Sequence, residues 1–301
     1  MLFGMTYYQI CWYFLIYSFL GWVVEVAFHA VSLGKVVNRG FLNGPVCPIY
    51  GFGVLSVFSM INSCEISGIE MNDFLIFVVG VILATLVELI GGWLLDKCFH
   101  ARWWDYSMRP FNFHGYICLE FSIVWGLAIL LVIKVFQKYV EAKPTFFVES
   151  NIGWIILAIL FLIYLADLIV TVAIINGFNK KLENLDQIRK EMRIVSDKLS
   201  EGIANRTIGK AQKVGENAVQ LSLAKAEFKD SALEKREHIE IELCQKQEEL
   251  KARFDDISSS VSNKTLFGSG RLLKAFPYMK HNTHQDIVDI IKRKNMSGEN
   301  K

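Results

Sequence analysis

Four carboxylates lie inside long apolar stretches of this chain: Glu25, Glu88, Glu120 and Asp167. An ionised carboxylate at the centre of a membrane helix costs at least about 2.5 kcal/mol on insertion scales, so each of them must face a partner, water or a function. Glu88 and Asp167 are the deepest, while Glu25 and Glu120 stand close enough to the loop-side ends of their stretches to reach an interface. Arg39 and Arg109, one in each of two proline-bearing loops, are the expected cationic partners, and Asn43 and Asn112 from the same loops complete a candidate substrate-binding set. Two chemistries fit these residues: a structural ion-pair network, or coordination of a polar or cationic substrate with proton relay. His29 and His100 lie near the inner interface, where capping or headgroup contacts are expected of them rather than metal binding. No nucleophile–base pair stands out, so no catalytic residue, metal or cofactor is expected, and an intramembrane enzyme acting on lipid is the least favoured class. The six cysteines show no CxxC or Cys/His spacing and read as small apolar residues, with Cys64 alone in a predicted outer loop.

The elements that would position these groups are membrane helices. The 301 residues are 52% hydrophobic and 21% charged, and the balance is uneven. Residues 1–178 hold 8 Lys/Arg and 11 Asp/Glu, whereas residues 179–301 hold 24 and 19, so the net +2 divides into −3 and +5. The first part has too little polar surface for a water-soluble domain, and six cysteines are too sparse for a disulfide scaffold. The expected fold class is all-α: a polytopic helical membrane protein of about five spans with a cytoplasmic helical extension. The spans are Tyr8 to Leu33, Cys47 to Asn62, Phe74 to Leu95, Ile117 to Ile133 and Ile152 to Phe178. No Lys or Arg precedes the first span and its apolar run is long, so a cleaved leader is not expected. Basic residues cluster in the loops after spans 1 and 3 and from Lys180 onward, which favours an outside N-terminus and a cytoplasmic C-terminus. Lys134, Lys138 and Lys143 run against that orientation.

Shifting the chain by 71 residues aligns Gly21-Trp22 with Gly92-Trp93, Phe28-His29-Ala30 with Phe99-His100-Ala101, Gly44 with Gly115, and Cys47 with Cys118. These are seven identities over positions 21–47, and they imply a duplicated two-span hairpin with units at about 8–63 and 79–134 and a fifth span at 152–178. Parallel repeats are common in transporter folds, which bind substrate where the repeats meet, and duplicated hairpins also occur in inert assemblies. The loops of the two hairpins carry three of the five prolines, so they cannot be regular helix. They read either as interfacial turns or as segments lining a cavity.

Several runs carry a family resemblance. They are Gly21-Trp22 with Glu25, NRGFLNGPVCPIYGFG from Asn38 to Gly53, Trp104-Asp105-Tyr106-Ser107, Arg109-Pro110-Phe111-Asn112, and Ile117 to Ser122. Together they resemble the bacterial membrane family of type IV ABC-transporter permeases, also called CmpB-like, over residues 8–178. The resemblance implies a transporter component of the bacterial plasma membrane and names no substrate or catalytic residues. Tyr116 stands where a basic residue is expected between Gly115 and Ile117. The chain has no Walker A sequence; Gly209-Lys210 is followed by Ala211 and lacks the upstream glycine, so any ATPase is a separate subunit.

Residues 179–260 read as cytoplasmic coiled-coil helices. Leu182, Leu185, Ile188, Met192, Val195, Leu199 and Ile203 keep near-heptad spacing, a weak point falls at Asn205 to Gly215, and Ser258 to Ser262 breaks the pattern. The stripe allows a homo-oligomer through the coil. Residues 261–301 form a basic, aromatic tail that would touch anionic headgroups, the membrane domain or a partner, followed by a short helix from His284 to Lys294. No nucleic-acid module is present. The favoured function is a permease-like component for a small solute, and the alternative is a membrane-anchored scaffold or sensor that recruits a partner through its coiled coil.

Overall fold

The computed structural model describes residues 2–33, 36–141, 149–212, 222–262 and 268–298. Lys35, Lys143, Gly215 and residues 263–267 of the tail lie outside the described residues. The chain divides into two units: Met1–Phe178 with Lys264–Val288, and Asn179–Asn263 with Asp289–Lys301.

The first unit is built from α1 (Tyr7–Leu33), α2 (Pro48–Ile66), α3 (Asp73–Phe99) and α4 (Leu119–Leu131). A π-helical turn at Val132–Phe136 joins α4 to α5 (Gln137–Glu141), and the apolar start of α6 (Asn151–Gln212) completes the set. Among the described residues, five helical stretches are long and apolar enough to cross a membrane: Tyr7–Val31, Pro48–Ile66, Asp73–Phe99, Leu119–Val140 and the one beginning at Asn151. Their ends follow from local chemistry. Pro48 opens α2, where a missing amide donor costs nothing. Asn72 caps α3 by accepting from the Leu75 amide at 2.9 Å, and His100 closes it in the left-handed conformation. Helices α1, α2, α3 and α4 pack in sequence order, with α3 on α4 the most extensive contact.

Small residues set the close approaches, as expected where no hydrophobic force draws helices together in lipid. A Cβ on Gly21 would stand 2.2 Å from Cγ of Tyr50, so the α2 aromatic lies directly on the α1 backbone. Gly80 and Gly126 make the same fit between α3 and α4. An aromatic core of Tyr13, Tyr17 and Phe58 with Val54, Val57, Ile61, Ile76 and Ile129 fills the space between these helices.

Several boundaries differ from expectation. Helix α2 continues to Ile66, which puts Cys64 in a helix and not in a loop. The fourth stretch runs past Ile133 because the π-turn absorbs an extra residue and Gln137 accepts a buried hydrogen bond from the Tyr17 hydroxyl. Lys134, counted against the orientation, forms an ion pair with Asp73. Helix α6 does not stop at Phe178: no proline interrupts it, and the backbone stays helical to Gln212, through the first part of the expected weak point.

The second unit holds the later part of α6, α7 (Ser222–Ser262) and the end of α9 (Gln285–Gly298). Leu182, Leu185, Ile188 and Val195 of the stripe are buried, as are Leu250, Phe254 and Val261 of α7. Lys294 lies over the Phe254 ring and pairs with Asp255. The expected break at Ser258 to Ser262 is absent. Ser259 and Ser260 donate their hydroxyls to the Asp256 and Ile257 carbonyls at 2.7 and 2.8 Å, which satisfies them without unwinding the helix.

Candidate functional site

The first proline-bearing loop, residues 36–47, is folded around two charges of opposite sign, one partly buried and one buried. From one side, Asp167 of α6 accepts from the Gly44 amide at 2.8 Å and from the Asn43 amide and side-chain nitrogen, both at 3.1 Å. Asn43 also donates to Thr171 at 2.8 Å. From the other side comes Arg271, on the short helix α8 (Ser269–Ala275) of the tail. Its guanidinium donates to the carbonyls of Gly40 at 2.9 Å, Phe41 at 3.1 Å and Asn38 at 3.5 Å. A segment without regular structure thus has its amides satisfied by a carboxylate and its carbonyls by a guanidinium. Leu42 is fully buried between them. Asn38 fixes the start of the loop, accepting from the Trp22 indole at 2.7 Å and donating to the Asn43 carbonyl at 2.7 Å. Burial lowers the Arg271 pKa from the usual arginine value, and the negative charge of Asp167 opposes that shift.

Beside this loop lies a second polar group. Glu25 of α1 accepts from the Tyr50 hydroxyl at 3.1 Å and lies 3.5 Å from His29 one turn on. Arg39 feels the charge of Glu25 and lies near enough to interact electrostatically with Tyr50, Cys47 and Tyr106, with its guanidinium carbon 5.5 Å from the centre of the Phe276 ring. Its Nε is buried without a hydrogen-bond partner. Burial pulls the Arg39 pKa down and Glu25 pushes it back up. Cys47, buried at the N-cap of α2, has its thiol pushed up to about 12 by burial and by Glu25. Glu88 of α3 adjoins this group through Tyr106, whose hydroxyl donates to it at 3.1 Å. Tyr106 stacks on Phe121 at 4.8 Å, and Trp125 meets Tyr50 edge-on at 5.6 Å.

The second loop is a small hairpin. Strand β2 (Asn112–Phe113) pairs antiparallel with β3 (Ile117–Cys118), and the turn between them passes through left-handed His114 and Gly115. Asn112 is a part of this turn, donating to the Arg109 carbonyl at 2.7 Å and accepting from the Gly115 amide at 3.2 Å. Arg109 pairs with Glu120 at 3.0 Å, and both side chains are about half exposed, at 52% and 53%. Tyr116 occupies the position where a basic residue was expected, and the positive charge comes instead from Arg102. Asp96 accepts from the Tyr116 hydroxyl at 2.6 Å and from Arg102 at 3.1 Å, with the guanidinium stacked on the Tyr116 ring.

The tail binds both loops. Strand β1 (Ala101–Arg102) pairs with β4 (Lys280–His281) of the tail, and the Asn282 amide donates to the His100 carbonyl at 2.9 Å. The Asn282 side chain reaches Asp96, and Lys280 pairs with Asp105. Phe276 packs on Trp103, which also meets Phe41 of the first loop. Of the three contacts open to the tail, this is docking on the membrane domain's own loops.

Of the candidate set, the structure brings Asn43 to Asp167 and places Glu25, Arg39 and Glu88 around Tyr50 and Tyr106. Arg109, Asn112 and Glu120 lie apart, in or beside the exposed hairpin. The expectation that arginines bond the deep acids is corrected for Glu88 and Asp167. Their direct donors are a tyrosine hydroxyl for one and amides, backbone and side-chain, with the Thr171 hydroxyl for the other, because the loop backbone itself enters the site. Residues not singled out in sequence include Tyr50, Tyr106, Thr171 and Arg271. Thr171 could have been found one helical turn from Asp167, but nothing local marks Arg271. Asp96 fell just past the expected end of the third span. Among the described residues, no group of three or more His, Cys, Asp or Glu side chains is arranged to hold a metal ion.

Comparison with curated proteins and with solved structures gives no match. Comparison with protein families gives one that covers residues 12–172, a range holding most of α1, α2 to α5 and the start of α6, both loops, and every acid and arginine of the candidate set. The chain belongs to the family described as "Putative ABC-transporter type IV".

Proposed function

We propose that the chain is the membrane-embedded, permease-like component of a transporter for a small polar solute, energised by a separate ATPase subunit. The observation that supports this reading most is the first loop. Irregular backbone at membrane depth is tolerated where protein buries it or where it lines a path, and transporters place such backbone at their binding sites. Here that backbone is held between Asp167 and Arg271, with Arg39, Glu25 and Tyr50 beside it.

The two helix–loop–helix segments are read as a duplicated hairpin, which fits the placement of Cys47 and Cys118 at the N-caps of α2 and α4. In this reading the loops, tail and C-terminus lie in the cytoplasm of a bacterial cell, and the buried stripe of α6 and α7 is coiled-coil packing that also allows a homo-oligomer. Asn43, Arg39, Glu25, Glu88 and Asp167 are the residues assigned to the solute path, with Arg109, Asn112 and Glu120 at its rim.

The test is purification of the intact chain in mild detergent with identification of its companions. Recovery of an ATPase whose hydrolysis is stimulated by the chain and lost in Asp167→Asn is the expected result. Recovery of signalling or envelope proteins alone, with no ATPase, refutes the transport reading and favours a scaffold.

A further inference from the structure

We propose that Glu88 is a proton-binding site inside the membrane domain, where its carboxyl carries an exchangeable proton. The argument starts from what each acid of the spans touches. Glu25 has His29 and Arg39 nearby, Glu120 has Arg109, Asp96 has Arg102, Asp73 has Lys134, and Asp167 feels Arg271. Among the described residues, Glu88 is the buried span acid with no cation against it, and it is 5% exposed.

Its hydrogen bonding is half complete. Oε1 accepts from Tyr106, while Oε2 is buried without a partner. The indole of Trp125 faces the carboxyl, and Thr85, one turn earlier on the same face of α3, also buries its hydroxyl without a partner. An ionised carboxylate can only accept hydrogen bonds, whereas a protonated one carries a donor of its own. A buried carboxylate with no cation is far costlier than the neutral acid, so the site favours a bound proton on the free oxygen. The surrounding rings pack closely, Tyr106 stacked on Phe121 and Trp125 edge-on to Tyr50, which suits a proton better than a bulky cation.

The titratable groups near Glu88 come from every neighbouring element. Tyr106 touches it directly; beyond Tyr106 lie Glu25 of α1, Arg39 of the first loop, Tyr50 of α2 and Cys118 at the start of α4. Tyr106 stays a neutral donor, since burial and Glu88 both raise its pKa above the usual tyrosine range. Proton binding at Glu88 stands independently, whereas its coupling to solute movement rests on the transport reading.

The experiment is an infrared pH titration of the full chain in lipid nanodiscs, following the carbonyl band of protonated carboxyl groups. The wild type is expected to show a titrating band that is absent in Glu88→Gln. Tyr106→Phe removes one donor that favours the anion and keeps the ring, so the same band is expected to titrate about one pH unit higher, a tenfold gain in proton affinity. Superposable wild-type and Glu88→Gln spectra overturn the proposal. So does a band that Tyr106→Phe leaves in place, because the proton then sits on another acid. Uptake plays no part in this readout, so absent uptake with an intact titration counts against the transport reading alone.

Discussion

Replacing Arg271 by methionine tests whether the tail holds the first loop. The substitution keeps the apolar stem and removes a guanidinium that is 7% exposed and donates at 2.9 and 3.1 Å to the Gly40 and Phe41 carbonyls. Two bonds from an ionised donor at about 1.5–3 kcal/mol each amount to roughly 3–6 kcal/mol gross. Undocking returns the arginine to water, which offsets several kcal/mol of its burial cost, so the net loss is about 2–3 kcal/mol. At about 1.4 kcal/mol per factor of ten, the open population of the tail rises roughly 30- to 150-fold. Hydrogen exchange in nanodiscs reads this directly, because local opening sets the rate for the Phe276, Met279 and Asn282 amides, which donate to Leu272, Phe276 and His100. Exchange across 272–282 should accelerate by that factor while the α3 amides stay protected. Unchanged exchange would refute the clamp, and acceleration throughout α3 would mean that Arg271 supports the whole unit and not the loop.

Three further outcomes follow from the same geometry. In a variant retaining Cys47 as its sole cysteine, Asp167→Asn should speed maleimide labelling of that thiol about tenfold, since loss of a charged acceptor weakens the loop by roughly 1.4 kcal/mol; the wild-type thiol is slow because burial pushes it up to about 12. His281 is held down to about 4 by burial and by its neighbours His284 and His100, so an undocked tail takes up the proton first. Tail docking should therefore be strongest above about pH 6.5 and weaken toward about 4, by at most about 1.4 kcal/mol per unit, and His281→Gln should flatten that slope in tail hydrogen exchange measured across pH. Arg109→Gln removes half of an exposed pair, and the thermal midpoint in detergent should reflect a loss under about 1 kcal/mol.

The helices were legible because their signals are local: long apolar runs, each near the length that crosses a bilayer. The non-helical character of the loops was written in Pro45 and Pro110, whereas Pro48, counted with them, opens a helix that carries Tyr50 to Gly53. The set around Asp167 was half legible, since the acid and Asn43 both stand out while their pairing joins positions 124 residues apart. Arg271 was illegible as a loop ligand because one arginine in a basic tail looks like any other until its 231-residue separation from Gly40 is closed. The two-residue strands that bind the tail carry no periodicity, and Ser258 to Ser262 misled because serine propensity ignores the hydroxyl's bond to the preceding turn.

That separation has a consequence for biosynthesis. The spans can enter the bilayer one after another as the ribosome delivers them, but the first loop waits for the start of α6 before its amides find Asp167, and for α8 before its carbonyls find Arg271. Non-local contacts of this kind form late. A nascent chain arrested before residue 271 would present inserted spans with an unfinished loop, a form open to cellular quality control. Completion of the face that carries both loops is then a report that translation has reached the tail.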